Sequence, residues 1–77
     1  MNAARRKILA KALALVTEAR DLIEEAKCGE EEAYDNMPES LQESERGETM
    51  QDYIAAMEDA IMSLEEAEDL ENQIELN

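Results

Sequence analysis

Two pairs of carboxylates come closest to a catalytic pattern in this sequence. Glu32 with Asp35 and Glu66 with Asp69 have the i, i+3 spacing that places both members on one face of a helix. Two such pairs facing each other in a helical bundle would bind Mg²⁺ and support hydrolysis of a nucleotide. Because 21 of the 77 residues are acidic, such pairs also arise by chance. On a hairpin these two pairs do not face each other, so this chemistry is only a minor alternative.

Other catalytic arrangements lack the residues they need. The chain has no histidine, which removes the usual general base, the commonest metal ligand and every Ser-His or Cys-His pair. Cys28 is the single thiol, so we interpret it as an inert residue on a helix surface. A calcium loop beginning at Asp35 fails because Met37 and Ser40 occupy a ligand position and the glycine position. We therefore expect a protein that is not an enzyme and that has neither a metal nor a cofactor.

Charge decides which partners are compatible with the chain. Seven basic residues against 21 acidic ones give a net charge of −14, which excludes direct nucleic-acid binding through a basic patch. An anionic lipid surface would also repel most of the chain, and no uncharged stretch approaches the roughly 18 residues that a membrane span needs. We expect a cytoplasmic protein without membrane or nucleic-acid contacts, whose partner is a host protein with a basic surface.

The elements that carry these charges are predicted to be helices. Ala, Glu, Lys, Leu and Arg make up 43 of the 77 residues, which is typical of long helices. Large and small side chains alternate at spacings of four and three in the first half of the chain. This seam consists of Ile8, Ala12, Leu15, Ala19, Leu22, Ala26, Gly29 and Ala33. A second stripe beside it, Leu9, Val16 and Ile23, predicts that the first helix contacts more than one other helix.

Pro38 divides the chain into two helices. It disfavours helical backbone at Met37, so the first helix is predicted to span about residues 3–36. A turn follows over residues 37–43, in which Leu41 plugs the end of the hairpin, and Ser44 caps a second helix over about residues 44–75. The fold class is thus all-α, an antiparallel two-helix hairpin forming a single domain over residues 1–77.

Both helices keep apolar surface that one hairpin cannot cover. Docking two hairpins into a four-helix bundle is the economical solution, so we expect a homodimer or a higher oligomer. The interface is predicted to contain Leu9, Val16, Ile23, Ile54, Met57 and Ile61. With the hairpin centred near Ser40, residue i lies beside about residue 80 − i. The basic residues Arg5, Arg6, Lys7 and Lys11 are then predicted to pair with Asp69, Glu71 and Glu75.

The sequence of the turn resembles that of a known group of small proteins. The segment DNMPESLQESERGE at residues 35–48, followed by an acidic helix rich in Ala, Ile, Leu and Glu, resembles small acidic helical proteins of Gram-positive bacteria and of their phages and mobile elements. The resemblance covers roughly residues 30–70. It implies a small helical protein in a mobile-element setting, without an activity to carry over. In this turn, Arg46 is the one cation available to Asp35, Glu39 or Glu43.

Uncompensated charge lies at the turn end and along the second helix. Twelve carboxylates between Glu43 and Glu75 are spaced about 4 Å apart along a helix, close to the 3.4 Å between phosphates on a DNA strand. This pattern predicts a protein-binding module, an inhibitor that mimics DNA toward a host nuclease or DNA-binding protein. The predicted contact residues are Asp35, Glu39, Glu43, Glu45, Glu48, Asp52, Glu58 and Asp59. The alternatives are a self-assembling scaffold bundle without mimicry and, last, a Mg-dependent all-α nucleotide pyrophosphohydrolase.

Overall fold

A computed structural model describes residues 1–76, and throughout that range the regular structure is helical. The helices are α1 (Ala3–Asp35), α2 (Glu39–Gln42), α3 (Glu45–Glu68) and α4 (Leu70–Gln73). The molecule is a rod of 58 × 14 × 14 Å in which α1 packs along α3. The all-α class predicted from the sequence is confirmed.

The bounds of α1 follow from its flanking residues. The side chain of Asn2 caps the helix by accepting a 2.9 Å hydrogen bond from the backbone N–H of Arg5. The helix continues through Gly29 and ends at Asp35, three residues before Pro38, as the restriction on the residue before a proline requires. The predicted span of 3–36 is correct to within one residue.

The connection contains a feature that the sequence did not predict. Residues 39–42 form the single turn α2, where an irregular turn was expected. The side-chain amide of Gln42 donates a 2.8 Å hydrogen bond to the backbone carbonyl of Tyr34, which holds this turn against the end of α1. Ser44 is the N-cap residue of α3, but its hydroxyl donates to the carbonyl of Leu41 and makes no capping bond to α3. Leu41 is exposed, so it does not plug the hairpin end.

The second helix is interrupted before residue 75. Its backbone changes course at Asp69, which separates α3 from α4, and Ile74 is extended. The Asp69 carboxylate accepts hydrogen bonds from the side-chain amides of Asn72 (3.0 Å) and Gln73 (2.9 Å). Side-chain bonds at these spacings hold the short helix α4 together after the break. After the break, Leu76 lines a shallow recess together with Leu13 of α1.

Two long-range contacts fix the register of the hairpin. The Thr17 hydroxyl donates to Glu68 at 2.8 Å, and the Lys27 ammonium lies 3.9 Å from the Glu58 carboxylate. Position i in α1 therefore lies beside about position 85 − i in α3, and the two helices run antiparallel. The predicted value of 80 was wrong: α1 ends at Asp35 and α3 begins at Glu45, but the contacts between the two helices are displaced from that symmetric arrangement by about five positions.

The core is thin, and it uses a different stripe of α1 from the one expected. Ile61 is the one buried apolar side chain within residues 1–76, and Leu9, Val16 and Ile23 are half-buried. The seam that begins at Ile8 instead faces outward. The six residues predicted for an interface between chains are half-buried or buried within the single hairpin, so they contribute to the packing of α1 on α3. These are Leu9, Val16, Ile23, Ile54, Met57 and Ile61.

Candidate functional site: an acidic surface at the turn end

The eight carboxylates predicted to contact a partner all lie on the surface. We call them the turn-end acidic surface, and every one of these side chains is exposed. Their positions run from the end of α1 through α2 and along the first two thirds of α3. The set is Asp35, Glu39, Glu43, Glu45, Glu48, Asp52, Glu58 and Asp59.

Part of this surface is a straight row on α3. Glu45, Asp52 and Asp59 are spaced seven residues apart, and Glu66 continues the series. A spacing of seven returns to nearly the same side of a helix after about 10 Å. The row is opposite the positions of Ile54 and Ile61, which face α1, so these carboxylates point to solvent on the outer side of the hairpin.

Few cations compensate this surface. Among the described residues, one of its members makes an ion pair, namely Glu58 with Lys27 at 3.9 Å. Arg46, expected to bind Asp35, Glu39 or Glu43, makes no ion pair with residues 1–76 and is exposed. Nearby unpaired carboxylates on one side of a rod give a negative potential that extends over about a Debye length, roughly 8 Å at physiological salt.

The basic end of the molecule is also uncompensated within the hairpin. Arg5, Arg6, Lys7 and Lys11 make no ion pairs with the described residues, so the predicted pairing with Asp69, Glu71 and Glu75 is wrong. By the register, Arg5, Arg6 and Lys7 lie beyond the level that residues 74–76 reach. Lys11 lies level with Ile74, yet it has no carboxylate of the described residues within ion-pair distance. The positive charges project at the end of the rod opposite the turn.

A polar cluster between the helices was not predicted. Glu68 accepts from the Thr17 hydroxyl at 2.8 Å with one carboxylate oxygen and from the Arg20 guanidinium at 3.0 Å with the other. The pKa of Arg20 is raised, chiefly by its hydrogen bond to Asp21 and secondly by the negative charge of Glu68. All three members of the cluster are half-buried. Thr17 and Arg20 are three residues apart and interrupt an apolar pattern on one face of α1. This spacing was the signal in the sequence from which a polar cluster between the helices could have been predicted.

Other features give no chemical site in the described residues. No group of three or more His, Cys, Asp or Glu side chains is arranged there to hold a metal ion. Cys28 is exposed, and Tyr53 is exposed whereas Tyr34 is half-buried. Within residues 1–76, no helix combines the length and the apolar character needed to cross a bilayer.

The fold and the surface together define a class of protein, a small helical rod with one strongly acidic end and one basic end. Comparison of the chain with protein families, curated sequences and solved structures finds no match.

Proposed function

We propose that this protein is a non-enzymatic binding module that acts as a homodimer and uses its turn-end acidic surface to bind a basic host protein. In its most specific form, the proposal is an inhibitor from a phage or mobile element that occupies the DNA site of a nuclease or DNA-binding protein. The main supporting observation is that all eight carboxylates are exposed and that, within residues 1–76, one of them makes an ion pair.

The physical basis is competition for the same electrostatic recognition. A basic groove that binds DNA gains affinity by exchanging counterions for fixed negative charges. A rigid helix with exposed carboxylates offers fixed charges of the same sign, held at set distances by the backbone. Because the row Glu45, Asp52 and Asp59 is straight and lies opposite the hairpin core, it can approach such a groove without disturbing the packing of α1 on α3.

A scaffold function is the second candidate, and a different observation favours it. Ile8, Leu15 and Leu22 are exposed on α1, which is unusual for a chain whose whole role resides in charge. In this alternative, self-assembly is the function and the carboxylates only keep the bundle soluble. Neutralising the acidic surface would then leave self-assembly intact, whereas placing a charge at Leu15 would abolish self-assembly.

The two candidates separate in one affinity experiment. Tagged protein is incubated with lysate of the source organism, washed, and eluted first with duplex DNA and then with a salt step. A matched variant carries Asp52→Asn, Glu58→Gln and Asp59→Asn, which keep the side-chain shapes and remove three charges. We expect DNA to release a basic DNA-binding protein from the wild type, with much less recovered from the variant. Equal recovery from both proteins, or no effect of DNA, would overturn mimicry.

A further inference from the structure

An exposed apolar stripe runs along most of α1. Ile8 is 67% exposed, Leu15 57% and Leu22 59%, although large aliphatic side chains are normally covered. The residues between them are small, and none carries a charge. The stripe, called here the α1 stripe, consists of Ile8, Ala12, Leu15, Ala19, Leu22, Ala26, Gly29 and Ala33.

From Tyr53 onward, the neighbouring flank of α3 also lacks carboxylates. Ala26 of the stripe lines a shallow recess with Glu30, Tyr53 and Ala56, which shows that the stripe and this flank are on the same side of the rod. The flank continues along α3 at helical spacing through Ala60, Ser63 and Ala67. Negative charge is therefore sparse on this side of a protein with a net charge of −14, with Glu30 and Glu45 beside Ala33 as its carboxylates near the turn.

We propose that the α1 stripe is the docking surface for a second copy of this chain, with the two α1 helices antiparallel and the two-fold axis between Ala19 and Leu22. The inference rests on the homodimer part of the proposed function and names its interface. It does not depend on the identity, or the existence, of an acidic-surface partner.

Shape complementarity supports this arrangement. With the axis between Ala19 and Leu22, residues whose numbers sum to 41 lie opposite each other. Leu15 then faces Ala26 of the second copy, and Ile8 faces its Ala33. Leu22 faces Ala19, and Ala12 faces Gly29. Every large side chain meets a small one, and each contact occurs twice, as an isologous interface requires. Alanine and glycine also let two helix backbones approach closely, which improves packing of the leucines.

Charge complementarity gives an independent reason to choose a second copy. The row of exposed residues bordering the stripe contains Lys11 and, at intervals of seven, Glu18, Glu25 and Glu32. Because this row lies to one side of the stripe, its residues come nearest to each other at a sum of 43, so Lys11 lies diagonally across from Glu32 of the second copy. The uncompensated cations Arg5 and Lys7 come level with Asp35 of the second copy. A parallel pair would instead place the two basic ends together and set each large side chain against its equal.

The same row predicts a weak point at the middle of the interface. Glu18 lies across from Glu25 of the second copy, so like charges face each other on both sides of the axis. Neutralising one of them with Glu25→Gln is expected to strengthen the dimer severalfold, whereas Lys11→Glu is expected to weaken it by about tenfold or more. Glu25→Gln and Lys11→Glu change residues of the same exposed row but are expected to shift the dimer affinity in opposite directions. This pair of outcomes is specific to the proposed register.

Sedimentation equilibrium on the full chain tests the interface. We expect the wild type to sediment at twice the chain mass of 8.7 kDa. Leu22→Glu places a charge in the stripe and is expected to raise the dimer dissociation constant at least about 100-fold. Met62→Glu is the matched control, because Met62 is 60% exposed but lies on the acidic side of α3, and it should leave the dimer unchanged. Circular dichroism of both variants verifies that the helices are retained.

Charge exchange provides a second test that does not change apolar packing. Lys11→Glu and Glu32→Lys each weaken the dimer, and the double variant should restore it because the paired charges are exchanged. A monomeric wild type, a dimer that Leu22→Glu leaves intact, or a double variant weaker than both single variants would each overturn the interface. None of these results bears on DNA-dependent elution of a captured partner, so failure of the interface and failure of mimicry are distinguishable.

Discussion

Gly47, near the start of α3, lies against the backbone of Gln42 at the end of α2. A Cβ atom built on Gly47 would be 2.7 Å from the Cα of Gln42 and 2.5 Å from its carbonyl carbon. Such distances are too short for nonbonded carbon atoms, so no other residue fits here without moving α2. The hydrogen bond from Gln42 to Tyr34 depends on the same placement. The close approach of Gly47 to Gln42 thus positions the turn that presents Glu39, Glu43 and Glu45.

Replacing Gly47 should therefore destabilise the hairpin despite its helical backbone. Ala is normally the better helix former, by about 1 kcal/mol over Gly. Here the overlap with Gln42 is expected to outweigh that gain, so that Gly47→Ala lowers the free energy of unfolding by about 1–3 kcal/mol. Urea unfolding followed by circular dichroism at a fixed protein concentration measures the change. A gain in stability would contradict the packing of α2 on α3.

Gly29 provides the opposite case in the same chain. A Cβ built at this position meets nothing within 4 Å in the hairpin, and the proposed dimer places only Ala12 of the second copy opposite it. Gly29→Ala is expected to raise the free energy of unfolding by about 0.5–1 kcal/mol through helix propensity. The same urea experiment compares the two glycines directly. Equal effects at both positions would show that space at Gly47 is not the deciding factor.

The hydrogen bond from Thr17 to Glu68 offers a test of the register. Thr17→Val preserves the shape of the side chain and removes the 2.8 Å bond to a half-buried carboxylate. We expect a loss of about 1 kcal/mol in the free energy of unfolding. Thr49→Val is the control, because its hydroxyl donates to the Glu45 carbonyl of its own helix, and its effect should stay within about 0.5 kcal/mol. If the two variants behave alike, α1 and α3 do not meet at these residues.

Asp69 gives a prediction for acid pH. The hydrogen bonds from Asn72, first, and Gln73 lower the pKa of its carboxyl below the ordinary 3.8. A carboxyl whose pKa is lowered by folding stabilises the fold fully above its unfolded pKa, and this contribution is lost as pH falls through the folded pKa. NMR titration of the carboxyl carbon should show the low pKa in the wild type and a value closer to 3.8 in Asn72→Ala. No difference between the two proteins would contradict the local structure at α4.

The sequence was sufficient for the bounds of α1 and the start of α3 but not for the pairing of the two helices. Pro38 determined the end of α1, and Ser44 correctly marked the start of α3. The heptad pattern, however, was satisfied equally by the row beginning at Ile8 and by the row beginning at Leu9. The half-burial of Leu9, Val16 and Ile23, with the contacts of Thr17 and Lys27 to α3, shows that the row beginning at Leu9 packs on α3.

The acidic surface was easier to predict than its surroundings. Exposure of Asp52 or Asp59 follows from helical periodicity, because both are opposite an apolar row. Whether the basic residues near the start of α1 form ion pairs could not be predicted in the same way. The position of Lys11 relative to α4 depends on the length of the connection, and the residues that form α2 gave no periodic signal over a single turn. The break at Asp69 likewise had no signal in the periodicity, because the apolar spacing continues to Ile74.

The most direct test of the account is the salt dependence of binding to the captured partner. Titration calorimetry at several salt concentrations compares the wild type with the variant carrying Asp52→Asn, Glu58→Gln and Asp59→Asn. We predict that the logarithm of the wild-type association constant falls linearly with the logarithm of salt concentration, losing at least about tenfold between about 50 and 200 mM, with a shallower slope for the variant. An association constant that stays the same over this range, or an equal slope for both proteins, would contradict recognition through the turn-end acidic surface.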